Sequence, residues 1–158
     1  MIKILCVGKI KEKFYRDALA EYEKRISRYC KLRIIEVADE KTPDKCSVAQ
    51  REQILAKEAA RLLSHIGDND YVIALAIDGA VQDSAAFAAH LEALAVSGRS
   101  SVVFVIGGSF GLHNSILCRS DERLSFSAMT FPHQLMRVIL LEQLYRSWRI
   151  RNHEPYHK

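Results

Sequence analysis

The 158-residue chain contains no CxxC pair. Its four cysteines, Cys6, Cys30, Cys46 and Cys118, are scattered, which argues against a zinc ribbon or a disulfide framework and for free thiols in a reducing, cytoplasmic setting. Long apolar runs are missing too. The longest, such as YVIALAI, reach about seven residues, far short of the roughly 20 that a membrane helix needs. The opening MIKILCVGKIKEKF meets charge too soon for a secretory leader. No internal repeat, low-complexity stretch or linker divides the chain, so one domain over residues 1–158 is expected, large enough to bury a core.

The standard phosphate-binding signatures are also absent. The glycine cluster Gly107-Gly108-Ser109-Phe110-Gly111 has no following Gly-Lys-Ser/Thr, so it is not a Walker A loop, and its glycine spacing is not GxGxxG. Gly107 to Gly111 does spell the Gly-x-Ser-x-Gly of a nucleophile elbow, and a hydrolase using Ser109 is carried as the weaker reading.

What is present is ordinary globular composition, 49% apolar and 27% charged. The net charge of +4 permits a polyanionic partner without specifying one. Beyond His133 the balance is basic, with Arg137, Arg146, Arg149, Arg151 and Lys158 against Glu142 and Glu154.

Periodicity gives an alternating order of strands and helices. IKILCV (2–7) reads as a buried strand ending at Gly8. Phe14, Ala18, Tyr22, Ile26 and Tyr29 recur at helical spacing over about Glu12 to Cys30. LRIIEVA (32–38) is a second strand. Ser47 and Gln50 have capping-box spacing and open a helix toward Ile66, closed by Gly67. YVIALAI (71–77) is a third strand, ended by the turn pair Asp78-Gly79. Ser84 can cap a helix that stops at Gly98. VVFVI (102–106) is a fourth strand, followed by a short helix near His113 to Arg119. RLSFS (123–127) is a fifth strand, and Pro132 suits the first turn of a last helix. Central strands that are apolar on both faces imply an α/β domain: a parallel sheet with helices on both faces and its ligands at the carboxyl ends of the strands.

Three loops lie at that edge: the glycine cluster, the segment after residue 124, and the LAIDG stretch. They are small and weakly polar, without lysine or a metal-binding carboxylate pair. Such loops suit an adenosine-like ligand held by main-chain hydrogen bonds better than a triphosphate. The glycines are equally compatible with a tight turn that only needs positive φ.

Four stretches, VGKIKEKFYRDALAEYEKR, FVIGGSFGLH, LSFSAMTFPHQLMRVILLEQLYRSWRI and the ending HEPYHK, make the chain closely similar to the RlmH-type ribosomal RNA methyltransferases of the SPOUT class. The resemblance covers nearly the whole chain. It implies a trefoil knot in the C-terminal part, which ordinary connection rules would not suggest. It further implies S-adenosyl-L-methionine as cofactor, a homodimer, and methylation of N3 of a pseudouridine in large-subunit ribosomal RNA, free or in the assembled ribosome. Carried over by resemblance, the cofactor residues are Leu75, Gly107, Phe126, Ser127, Ala128, Met129, Thr130 and Phe131. Arg146, Tyr156 and His157 are placed beside the target base. The rival reading is a nonenzymatic, flavodoxin-like nucleotide-binding module.

Methyl transfer from a sulfonium needs an aligned nucleophile and removal of its proton. Among the tail residues His157 best suits proton handling, Arg146 would hold an anion, and Tyr156 would stack or hydrogen-bond. His133 fits a capping, core or catalytic place equally, and Arg137, Arg146 and Arg149 fit a solvated helix face. Pro155 between His153 and His157 speaks against a helical metal pair. The last helix is apolar nearly all round, so Leu141 and Leu144 are expected at a subunit interface. The ending NHEPYHK is too short and polar to contribute much core.

Overall fold

A computed structural model describes residues 1–157. Lys158, the last residue of the tail motif and of the expected domain, lies outside the described residues. The element order is β1 (Ile2–Val7), α1 (Lys13–Ile26), β2 (Leu32–Val37), α2 (Val48–Leu63), β3 (Tyr71–Val81), α3 (Ser84–Val96), β4 (Val102–Ile106), α4 (Asn114–Arg119), β5 (Glu122–Ser125) and α5 (His133–Arg151). All strand pairings are parallel, in the order β2-β1-β4-β3-β5.

Alternation along the strands builds two cores. Ile2, Ile4 and Cys6 of β1 and Val102, Phe104 and Ile106 of β4 face α1, α3 and α5. Leu5, Val7, Val103 and Val105 face α2 and α4 on the other side. Connections that move one way across the sheet share one face, and those moving back share the other, as right-handed crossovers require. The order differs from the flavodoxin-like 2-1-3-4-5 by exchange of the third and fourth strands. The four cysteines are unpaired, and burial pushes the Cys6 thiol up to about 12, leaving it inert.

Local signals mostly match their elements. Ser47 and Gln50 form the reciprocal capping box of α2. At α3 the cap is Asp83, whose carboxylate accepts from the Ala86 N–H; Ser84 instead donates to Gln143 of α5. On α1, Leu19 and Ile26 form the buried stripe, and Phe14 is 63% exposed. Five residues at 3.6 per turn put Phe14 about 140° away from Leu19. β3 does not end at Asp78-Gly79. Leu75 and Ala80 both pair with Leu124, so residues 76–79 bulge out and the strand resumes. A Cβ at Gly79 would lie 2.7 Å from the β5 backbone, which is why a glycine stands there.

Helix α5 departs most from expectation. Leu141 and Leu144 are fully buried in the chain's own core and are not available to a second subunit. Leu135, nine residues before Leu144, points to the opposite side and is half-buried, as is Ile139. Arg137 is not on a solvated face. It is wholly buried and donates to Glu36 Oε1 at 2.7 Å, Val7 O at 2.9 Å and Gly8 O at 2.7 Å.

Arg137 thus joins α5 to the carboxyl ends of β1 and β2. Arg137→Ala should lower unfolding free energy by about 3–5 kcal/mol, because it leaves two carbonyls and a carboxylate without their donor. Arg137→Lys should recover only part of the loss, since an ammonium cannot reproduce the planar fork. Urea unfolding midpoints of the two variants measure this.

Candidate functional site

The carboxyl ends of β3, β4 and β5 enclose a cavity of about 620 Å³. β4 is buried at every position and delivers the chain directly into the glycine loop. That loop closes on itself. The Gly111 N–H donates to Gly108 O at 3.0 Å, and Gly111 takes a left-handed φ of 84°. A Cβ at Gly107 would lie 2.3 Å from Gly111 O. The absence of a side chain at 107 therefore lets the two ends of the loop touch, and the adjacent main chain borders the cavity.

The second wall is the segment after β5. Buried Ser125 donates to Ser127 O at 3.2 Å, and Ser127 Oγ accepts from the Met129 N–H at 3.0 Å, so the loop braces itself. The third wall is Leu75, Ala76 and Ile77 of β3. Of the residues assigned to cofactor, Leu75, Gly107, Phe126, Ser127, Met129, Thr130 and Phe131 line the cavity. Ala128 lies in the same loop but is exposed and does not line it.

Two titratable lining residues were not singled out as cofactor contacts. His133, at the start of α5, is held below the usual histidine range by burial and by the Arg137 charge one turn on. It therefore stands neutral at pH 7. Arg51, in the first turn of α2, also lines the cavity, with its guanidinium 4.9 Å from the Phe110 ring centroid. The contact joins residues 59 positions apart, and no local motif announces it.

Arg146, Tyr156 and His157 come together at the other end of α5. Arg146 donates to Glu142 Oε1 from Nε at 3.0 Å and from Nη2 at 2.6 Å. Its guanidinium sits 4.7 Å over the Tyr156 ring, and Nη1 is 3.3 Å from His157 Nδ1. The Tyr156 hydroxyl donates to Glu142 Oε1 at 3.2 Å. Burial, then Tyr22 and Glu142, push the Tyr156 phenol up to about 12, so it is a donor at neutral pH and not a base. The tail is docked. Glu154 accepts from Tyr29 at 2.6 Å and from Arg149, Arg149 also donates to Pro155 O at 3.2 Å, and the Tyr145 and Tyr156 rings meet edge-to-face at 5.0 Å. The ending therefore contributes packing that its composition did not suggest.

Arg146 is ten residues beyond Met136, the last cavity residue on α5, which is about 15 Å of helix. The described residues thus gather the cavity set in one place and the tail trio in another.

Comparison with known proteins agrees with this architecture. Residues 1–157 match the family described as "Predicted SPOUT methyltransferase". Proteins named ribosomal RNA large subunit methyltransferase H are similar over 157 residues, 99% of both chains: 57% identical in Bifidobacterium adolescentis, and 52% in Streptococcus uberis. A solved structure of a probable methylase family protein from Haemophilus influenzae shares the fold with a TM-score of 0.55 at 14% identity, covering 99% of this chain and 70% of that one.

Gly107→Ala should destabilise the protein by about 1–3 kcal/mol and distort the cavity, because the added methyl meets backbone. Gly111→Ala should cost only about 1 kcal/mol, since its penalty is conformational and no atom lies within 4 Å of the new methyl. Thermal melts and ligand titration of both variants rank them. His133 generates a pH effect. Its native pKa lies below the unfolded value of about 6.5, so its contribution is complete above that pH and is lost as pH falls from there through the native value. Melting temperatures of His133→Gln should therefore fall less steeply below about pH 6.5 than those of the wild type.

Proposed function

The chain belongs to the SPOUT methyltransferase family, and from that premise we propose that this enzyme moves a methyl group from S-adenosyl-L-methionine to N3 of a pseudouridine in large-subunit ribosomal RNA. The observation that carries the reading is full-length similarity, above half identical, to proteins named ribosomal RNA large subunit methyltransferase H. Family membership sets aside the nonenzymatic alternative, and the strand order separates the fold from flavodoxin-like modules.

The cavity fits the cofactor. Its volume suits a nucleoside-sized ligand. Its walls combine Leu75, Phe126 and Phe131 with serine hydroxyls and main chain, and among the described residues no acidic side chain lines it. When bound, the cofactor supplies an electrophilic methyl group on a positively charged sulfur. The loops after β4 and β5 would hold it and keep water from the reacting atom. The expected trefoil knot belongs to the same reading. Its support is the course of the chain after β5, which turns back past β3 and β4 to set α5 against the end of β1.

The tail trio would handle the base. The imide proton of pseudouridine is weakly acidic, so a cation beside the ring lowers the cost of removing it. Arg146 is that cation, aimed by Glu142. Tyr156 stays protonated and would donate to a base carbonyl. Arginine only donates, so in its contact with Arg146 the Nδ1 of a neutral His157 accepts and Nε2 carries the ring proton. Movement of Arg146 toward RNA would free Nδ1 to take the proton from N3 as the methyl group would pass from the cofactor's sulfur, which keeps the bonding pair, to that nitrogen.

A trio lying some 15 Å along a rigid helix from its own cavity is best used in a homodimer, where the tail of one subunit completes the cavity of the other. The half-buried, outward Leu135 and Ile139, not Leu141 and Leu144, are the apolar positions free to meet a twin.

Methyl-transfer assays on ribosomes lacking the modification, with the product nucleotide identified by mass spectrometry, test the reaction. Arg146→Ala and Gly107→Val should each be inactive as homodimers. Mixed in equal amounts and allowed to exchange, they should restore about a quarter of wild-type sites, since half the dimers carry one intact composite site. Adding Ile139→Glu to both chains should abolish the rescue. Absence of any rescue between two folded, exchanging partners would place cavity and tail in one chain.

A further inference from the structure

The cavity wall carries one permanent charge. Among the described residues Arg51 is its only lysine or arginine, no aspartate or glutamate lines it, and His133 is neutral there at pH 7. The Arg51 guanidinium is held against the Phe110 ring, and its one hydrogen bond among the described residues is a long one, Nη2 to Phe110 O at 3.4 Å. The neighbouring carboxylate, Glu52, accepts instead from His113 at 2.7 Å. Stacking on an aromatic face fixes the plane of a guanidinium while leaving its N–H edge open. These N–H groups belong to a wall residue of a cavity whose other described lining residues are uncharged.

A ligand that fits such a cavity sets a largely flat body against the neutral walls and brings an anionic end to Arg51. On the cofactor reading given above, that end is a carboxylate, which a guanidinium fork binds through two parallel hydrogen bonds. We propose that Arg51 binds the α-carboxylate of the methionine portion of S-adenosyl-L-methionine, with Phe110 as the platform that orients it. Arg51 is then the residue by which the site tells a complete cofactor from a truncated nucleoside. The glycine loop has a second task in this arrangement, because it carries Phe110 into place between Ser109 and Gly111.

Calorimetry on the full-length protein tests the assignment with two compounds, S-adenosylhomocysteine, which carries the carboxylate, and 5′-methylthioadenosine, which lacks the whole amino-acid end. Arg51→Ala should weaken S-adenosylhomocysteine about tenfold and leave methylthioadenosine unchanged. Arg51→Lys should recover part of the loss. An equal loss for both compounds would show that Arg51 only shapes the loop through Phe110, and no loss for either would remove it from the site; both outcomes overturn the proposal while the cofactor reading stands. Failure of the wild-type protein to bind either compound would overturn the cofactor reading and this assignment with it.

Discussion

The buried guanidinium of Arg137 is the joint on which the site depends. It draws Val7 O, Gly8 O and Glu36 toward the second turn of α5. Burying a charge costs several kcal/mol unless its partners are well placed, and an apolar residue of similar size would leave the carbonyls without a donor. Glu36 also accepts from the Ile10 N–H at 3.2 Å, so the loop after β1 is tied to the same carboxylate. His133, one turn before Arg137, and the adjacent Met136 form part of the cavity wall. The position of that wall relative to the sheet is therefore set by an ion pair outside the cavity.

The sheet edge and the glycine loop complete the frame by exclusion of side chains. Gly79 lets the β3 bulge pass close to the β5 backbone, and Gly107 lets the loop after β4 close on Gly111. Neither contact contributes a functional group. Both bring main chain closer than any residue with a Cβ would allow, and the space left beside them is the cavity. This is a different use of glycine from direct approach to a ligand, although the sequence pattern is the same.

Local order was legible because its causes are local. The capping box at Ser47 and Gln50, the alternation in Val102 to Ile106 and the glycine cluster each need only neighbours in sequence. What was hidden depends on partners far along the chain. Arg137 looks like any charged helical residue until carbonyls some 130 positions earlier are brought to it. Arg51 meets Phe110 only once α2 is laid across the end of β4. The exchange of the third and fourth strands leaves no trace in periodicity, because both strands are apolar on both faces in either order. The tail was misjudged for a related reason: its polar composition conceals a ring packed on Tyr145 and a carboxylate held by Tyr29 and Arg149.

Helix α5 links these parts as a rigid spacer. Its first turn borders the cavity, its middle carries the core leucines, and its last turns carry Arg146 and the docking points of the tail. The separation between cavity and trio is thus a helix length, about 15 Å from Met136 to Arg146, which side-chain motion cannot close. A two-fold axis crossing the outward face near Leu135 and Ile139 would pair two such helices head to tail. In the proposed dimer the late turns of one helix then run beside the early turns of the other, which brings Arg146 of each chain toward the cavity of its twin. The same rigidity that separates the two halves of the site within a chain would keep them in register between chains.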